Sequence, residues 1–282
     1  MHNFLLILRR FARHRLAVIC LVLLLGMLAA AVFAPFITDY GPTQTSLREM
    51  NKPPSDTHLL GTDNIGRDML SRVLHGMRAS LTVGALSTVI SVAIGVVLGL
   101  TAGYFGGWAD RVISSLTDMV MSFPYILLVL VAAAIFEPGL KTIVLILGFV
   151  NWPGVCRLVR GNVLSLRETN FIRSDVTAGM PRRYILFSEI LPNTIAPVLV
   201  YATSVFALSI LDEAALSFLG QGIQAPDPSL GNLLNAAESA SVMMKYPWRW
   251  MPAGVVLVVL VVCINLVGDA LRDALDPRNG DK

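Results

Sequence analysis

The chain carries few residues of the kind that activate a phosphate, a metal-bound water or a nucleophile. A phosphate-binding loop needs Gly-Lys followed by Ser or Thr, so that backbone amides cradle the phosphates while the lysine reaches them. There are four lysines, Lys52, Lys141, Lys245 and Lys282, and none follows a glycine. Any ATP that drives this protein must therefore be bound by a separate chain. The four histidines, His2, His14, His58 and His75, lack zinc-ligand spacing. Cys20, Cys156 and Cys263 are an odd number without CxxC spacing, each in or beside an apolar run, and read as packing residues rather than a disulfide or metal set. No catalytic residue and no metal site are expected, and an enzyme reading is set aside. Three acids remain, Asp118, Asp212 and Glu213, each within an otherwise apolar stretch. A carboxylate inside a bilayer is costly and usually has a purpose. One purpose is a proton relay, which would make the protein a proton-coupled secondary transporter. The other is structural, with the acids turned to the bundle interior, to a partner subunit or to interfacial hydrogen bonds. Asp212 and Glu213 are adjacent and so point to different faces of a helix.

The elements that carry these acids are membrane spans. Of 282 residues, 55% are hydrophobic and only 15% charged, with a mean hydropathy of +0.67. Soluble domains hold about 25% charged residues, so the deficit points to a lipid-facing surface. A crossing helix needs about 20 apolar residues. Six stretches qualify: 16–36, 81–105, 112–136, 142–156 (extended to about 164), 194–219 and 251–268. The first is preceded by Arg9, Arg10, Arg13 and Arg15, as a signal peptide would be, but its 21 uncharged residues exceed a signal core. It is expected to remain as a span. The expected fold is an all-α, polytopic membrane protein of six transmembrane helices.

Orientation follows from Lys and Arg. With the N-terminus inside, the inner segments 1–15, 106–111, 157–193 and 269–282 hold 14 basic residues, against 8 in the outer segments 37–80, 137–141 and 220–250. Both termini are thus expected in the cytoplasm. A net charge of +3 with scattered basic residues gives no nucleic-acid footprint. In the second span Gly95, Gly99 and Gly103 share one helix face and predict close helix packing. The outer segment 37–80 opens with Gly41, Pro42, Pro53 and Pro54, and is expected to continue as a surface helix over 63–75. The inner loop 157–193 reads as two short amphipathic helices broken at Gly179-Met180-Pro181. Its six arginines suit anionic lipid, whereas its length and own secondary structure suit docking to another protein. The pattern leaves both open.

Several longer segments resemble a known family. His58-Leu-Leu-Gly61-Thr62-Asp63-Asn-Ile-Gly66-Arg67-Asp68-Met-Leu-Ser71-Arg72, with Gly76, Arg78, Ser80-Leu81 and Gly84, is similar to a signature of the C-type permease subunits of bacterial dipeptide, oligopeptide and nickel ABC importers. Asp110-Arg111-Val112 through Asp118 to Ser122-Phe123-Pro124 resembles that family's third span. Glu213-Ala-Ala-Leu-Ser217-Phe218-Leu219-Gly220, followed by Pro226, Pro228 and Gly231, resembles its fifth. The tail from Asn265 and Gly268-Asp269 to Arg272-Asp273 and Asp276-Pro277 completes a likeness over roughly residues 10–278.

The resemblance implies a type I ABC importer permease fold in the bacterial inner membrane: a periplasmic segment 37–80, a five-helix core 81–268 and a cytoplasmic tail 269–282. It implies partners: a second permease subunit, two ABC ATPase subunits that hold ATP and Mg2+, an extracytoplasmic substrate-binding protein, and membrane lipid. It implies that 157–193 is the ATPase-coupling loop, through Phe171, Ile172, Arg173, Asp175, Ala178, Gly179, Met180, Pro181, Leu191 and Pro192. Arg173-Ser174-Asp175 stands where the family usually has Glu-Ala-Ala, and Leu230 stands in place of a Trp. Gly61, Thr62, Asp63, Gly66, Arg67 and Asp68 are expected at the periplasmic gate. Short peptides are the expected cargo, with nickel or a metal–chelator complex as the alternative within the family.

Overall fold

A computed structural model describes residues 10–275; the start of the N-terminal segment and the tail beyond Leu275, with Asp276-Pro277, lie outside the described residues. Among the described residues the regular structure is helical, apart from one isolated bridge between Thr62 and Asp68. We label the principal helices α1 (Arg15–Val32), α2 (Met69–Phe105), α3 (Gly107–Ser122), α4 (Tyr125–Ile135), α5 (Leu140–Val150), α6 (Trp152–Arg167), α7 (Asn170–Thr177), α8 (Arg182–Phe218), α9 (Leu230–Leu234) and α10 (Met251–Leu275). By length and composition five stretches can cross a bilayer, namely α1, α2, α5 with α6, α8 and α10; the bent pair α3 and α4 brings the number to six when it is counted as one span.

Two boundaries differ from the sequence expectation, for one reason. A run of hydropathy stops at its first charge, but a helix stops only where the backbone is capped or broken. The expected separate surface helix over 63–75 forms only from Met69 on, as the first turns of α2. Residues 61–68 are irregular, Asp68 caps the start of α2 by accepting from the Ser71 amide at 2.8 Å, and α2 runs 37 residues without interruption. Likewise α6 continues to Arg167, and α8 starts at Arg182. The inner loop shrinks from 157–193 to the short stretch around α7.

The third span is not one straight rod. Ser122-Phe123-Pro124 breaks it, and α3 and α4 meet at 88°. Proline disfavours a helical residue before it, and Phe123 is extended, with φ −83° and ψ 142°. In α8, Pro192 lacks the amide its helix would use. Residues 185–190 there widen to a π turn, in which the Leu191 amide reaches the Leu186 carbonyl.

The glycine stripe does what its spacing predicts. A Cβ on Gly95 would lie 2.5 Å from Val155 Cβ, one on Gly99 2.7 Å from both Val159 Cβ and the Cys156 carbonyl, and one on Gly103 2.7 Å from Val163 Cβ. Three glycines on α2 thus receive three valines on α6, residue for residue. On α2, Gly84 faces Ile210 and Phe206 of α8. α1 packs mainly on α10 and leaves most of its apolar surface outward.

The seam gives a direct test. Gly99→Val is expected to destabilise the protein by about 1–3 kcal/mol or more, read as a lower thermal-aggregation midpoint and less protein in the membrane. Gly26→Ala, where nothing lies within 4 Å of the new Cβ, should change neither.

Candidate functional site

Three groups of polar or exposed residues are candidates for function. The first lies around α7. Ile172 is 2% exposed and packs with Val163, Ile185 and Ile190, so one side of the short helix is anchored in the bundle. Around that anchor Phe171 and Val176 on the helix and Met180 just after it are exposed, as are Tyr184 and Phe187 at the start of α8. The helix ends in a paired closure: the Met180 amide donates to the Asp175 carbonyl at 3.0 Å and the Gly179 amide to the Val176 carbonyl at 3.1 Å. Such a Schellman ending needs a left-handed residue, and Gly179 supplies it with φ +73°. Ala178 and Pro181 flank the turn, and Pro181 caps α8. Arg173 pairs with Glu168 at the surface, and Asp175 is half-buried. Leu191 and Pro192 are apart from this group, inside α8 beyond the π turn. A cavity of about 590 Å3 opens between α7 and the end of α2, lined by Tyr104, Phe105, Arg167, Ile172, Arg173 and Val176 among others.

The second group is the segment before α2, at the opposite end of the molecule. Asp63 organises it. Its Oδ1 accepts from the amides of Ile65 (3.0 Å) and Arg67 (2.9 Å), and its Oδ2 accepts from Arg67 Nε at 2.6 Å. Gly66 has φ +78° and sits so close to Ser46 that a Cβ would collide with its carbonyl. The amide of Lys52 donates to Thr62 Oγ1 at 2.9 Å, and Trp248 Nε1 donates to the Thr62 carbonyl at 3.2 Å, with Trp248 also against Gly61. Arg72 Nη1 donates to the Pro42 carbonyl at 3.1 Å. His58, which the sequence reading did not single out, is at the centre: Nδ1 lies 2.9 Å from Asp68 Oδ1, Nε2 lies 3.1 Å from Glu49 Oε2, and the ring stacks on Tyr40 at 4.6 Å. The long segment is thereby folded tightly over the first turn of α2 through the same Asp68 that caps it.

The third group is the intramembrane acids. Glu213 is fully buried; Ser80 Oγ donates to Oε2 at 2.5 Å and Ser217 Oγ to Oε1 at 2.7 Å. Ser80 also accepts from the Leu230 amide at 3.4 Å, so one carboxylate ties α2, α8 and α9. Asp212, on another face as expected, accepts from the Tyr125 hydroxyl at 2.5 Å, at the start of α4. Asp118 is paired with Arg157 Nη2 at 2.9 Å. Arg157 lies just past the uncharged part of the fourth apolar stretch, and the continuous α6 places it beside α3. Asp110 and Arg160 form a second bridge between the same two helices.

These features fit a helical transport component, and known proteins agree. The sequence model for the "binding-protein-dependent transport system inner membrane component" matches residues 95–281. That for the "N-terminal TM domain of oligopeptide transport permease C" matches 4–54. The dipeptide transport system permease protein DppC of Alkalihalophilus pseudofirmus is 39% identical over 270 residues, covering 96% of this chain and 88% of that protein. The glutathione transport system permease protein GsiD of Pectobacterium atrosepticum is 39% identical over 271 residues, covering 96% and 89%. In fold, the chain is similar to an inward-facing structure of the MetNI methionine ABC transporter, with a TM-score of 0.60 and 20% identity over 74% of this chain and 98% of that one.

The group around His58 yields a pH test. Burial is the largest single influence and pushes His58 down, yet the hydrogen bonds and charges of Asp68 and Glu49 together carry it above the usual 6.5. The hydrogen bond from His58 is the main cause holding Glu49 below its usual 4.5. The histidine's contribution is therefore complete below 6.5 and is lost as pH rises through its raised value; the glutamate's is complete above 4.5 and lost as pH falls through its lowered value. Amide hydrogen exchange over 49–71, corrected for intrinsic rate, should be slowest in the mildly acidic window between them. His58→Gln should abolish the loss of protection on the alkaline side, and a protection profile flat with pH in the parent protein would refute the clamp.

With two family models and relatives matched along nearly its whole length, the chain belongs to the binding-protein-dependent transport system inner membrane components: it is a multi-pass permease subunit of an ABC importer, a family that works with ATPase subunits.

Proposed function

We propose that this chain is one of two unlike permease subunits of a short-peptide importer, and that α7 with the Gly179 turn is where two partner ATPases, holding ATP and Mg2+, drive it. The observation that carries the reading is the apolar exposure around α7. Ile172 anchors the helix, while Phe171 and Val176 on it, and Met180 just after it, are exposed. An exposed apolar patch of this kind marks a partner surface. Arg173 and Asp175 sit on the same element, and Ala178, Gly179 and Pro181 fix its exit. Leu191 and Pro192 act one step back, inside α8 just beyond its π turn. The excess of Lys and Arg on the α7 side of the sequence supports placing that side, with both termini, in the cytoplasm. Gly61, Thr62, Asp63, Gly66, Arg67 and Asp68 then face the periplasm, where a substrate-binding protein delivers cargo to the mouth beside α2.

Peptide cargo is supported by the relatives named for dipeptide and glutathione, both compounds with peptide bonds and free charged ends. ATP binding closes the ATPases, α7 moves with them, and the long helices rock against the second permease to expose the pathway alternately to the two sides. Glu213, with both oxygens satisfied by serine hydroxyls, serves as a structural tie in this cycle.

The test uses the assembled transporter. The double substitution Phe171→Asp and Val176→Asp is expected to leave the chain inserted and bound to the second permease, while ATP-driven dipeptide uptake and cargo-stimulated ATPase activity fall at least tenfold. A pH gradient without ATP should drive no uptake. Normal transport by the double variant, or uptake driven by the pH gradient alone, would sink the reading.

A further inference from the structure

The Asp118–Arg157 bridge is unusual for its exposure. Its side chains are 69% and 56% exposed, against 23% and 34% for Asp110 and Arg160 on the same two helices. It is also deep. Asp118 is eleven residues from the start of α3 and Arg157 ten residues from the end of α6, or about 15 Å of helix in each case. Those two helix ends lie on one side of the molecule, since Arg167 Nη1 donates to the Gly103 carbonyl at 2.9 Å, two residues before α2 ends. Both residues lie within stretches long and apolar enough to cross a bilayer, whose hydrocarbon core is about 30 Å thick, so the exposed ion pair sits inside candidate spans. Charges at that depth do not face lipid.

The pair belongs to a continuous polar face. On α3, Arg111, Ser115, Asp118 and Ser122 recur at intervals of four, three and four, and all are exposed; on α6, Arg157, Gly161 and Ser165 do the same at intervals of four. The neighbouring stripe of α3, with Val112, Leu116 and Met119, is exposed and apolar. One helix therefore shows two outward faces of opposite character, one suited to lipid or a subunit contact and one to water. The polar face ends at the break in the third span, beside a cavity of about 230 Å3 lined by Phe123, Tyr125, Asn151 and Tyr201 among others. A second permease packed over this face would have to bury a stripe of charge and hydroxyl, whereas the cores of subunit contacts are depleted in charge. A water-filled lumen asks for no such burial.

We propose that the Arg111–Ser115–Asp118–Ser122 face of α3, with Arg157, Gly161 and Ser165 of α6, is this chain's wall of the cargo pathway, and that Asp118 and Arg157 read the two ends of a zwitterionic cargo. Asp118 accepts from the cargo ammonium, and Arg157 holds its carboxylate with a two-pronged guanidinium contact. A solvated, half-exposed ion pair is worth little to the fold, so cargo can open it and leave again, as passage requires. The zwitterion clause rests on the peptide reading above; the wall does not.

The experiment uses the complete complex, in detergent for labelling and in proteoliposomes for uptake, with Cys20, Cys156 and Cys263 replaced by alanine and single cysteines placed at 115, 116, 119 and 122. Ser115→Cys and Ser122→Cys should react with a membrane-impermeant methanethiosulfonate at least tenfold faster than Leu116→Cys and Met119→Cys. Equal rates, or no reaction at 115 and 122 because the second permease covers them, would overturn the wall. A millimolar free dipeptide should slow modification of Ser122→Cys several-fold, the N-acetylated dipeptide should not, and Asp118→Asn should remove the difference between the two. Striped labelling with ATP-driven dipeptide uptake but no such protection overturns the zwitterion role. Striped labelling in a complex that moves no dipeptide overturns the peptide reading and leaves the wall standing.

Discussion

The contact on which the rest of the molecule depends is the approach of α2 to α6 through Gly95, Gly99 and Gly103. Lipid chains are as apolar as valine side chains, so burial by itself gives helices in a bilayer little reason to associate. Dispersion between closely fitted backbones supplies it instead. Removing three side chains from α2 lets Val155, Val159 and Val163 sink to the helix backbone, with the Cys156 and Arg160 carbonyls within reach of the same glycines. The seam fixes α6 against α2 along two full turns. Everything near it inherits that register: α3 packs on both helices and is bridged to α6 by two ion pairs, and Arg167 reaches back to the end of α2.

Polar contacts then set what packing leaves free. Glu213 is an expensive group to bury unless its oxygens are satisfied, and here Ser80 and Ser217 satisfy them from two helices while Ser80 receives the Leu230 amide. The result joins α2, α8 and the returning segment at one point near the 37–68 side. Asp212 does a related job one residue earlier, meeting Tyr125 where the third span turns. Two adjacent acids thus pin two different neighbours because a helix sends them in different directions. At the opposite end, among the described residues, the exposed α7 element is held to α6 and α8 by apolar contacts such as that of Ile172 with Ile185.

Much of this was legible in the sequence and some was not, for reasons that concern particular residues. Six apolar stretches and the Gly95-x-x-x-Gly99-x-x-x-Gly103 face have strong local signals, and both appear where expected. So does the break at Gly179-Met180-Pro181, since glycine and proline act on their own backbone. Helix ends near charges are the less legible part: nothing between Cys156 and Arg167 caps or breaks a helix, so α6 runs on to Arg167 past the expected end at about 164, and α8 starts at Arg182 rather than at 194. The expected helix over 63–75 failed in its first half because Asp63 turns its carboxylate onto the amides of Ile65 and Arg67, an alternative to the helix that short acids readily offer. The role of His58 could not be read at all, since Glu49 and Asp68 lie nine and ten residues away along an irregular chain.

The arrangement of α6 suggests how these parts work as one. Val155, Val159 and Val163 recur every four residues on the face against α2, and Arg157, Gly161 and Ser165 recur every four residues two positions later. Two residues turn a helix by about 200°, so the seam and the exposed polar face lie on opposite sides of the same rod. The rod ends at Arg167, three residues before α7 begins. A displacement applied at α7 therefore reaches α6 at its tip, while the glycine seam holds α2 and α6 together as a unit too tightly fitted to shear. Interdigitated contacts of this kind resist small continuous deformation, so the pair tilts as a body. In the proposed cycle the face carrying Arg157 would tilt with it. Close packing on one side of α6 is what would turn a push at its end into a change of exposure on the other.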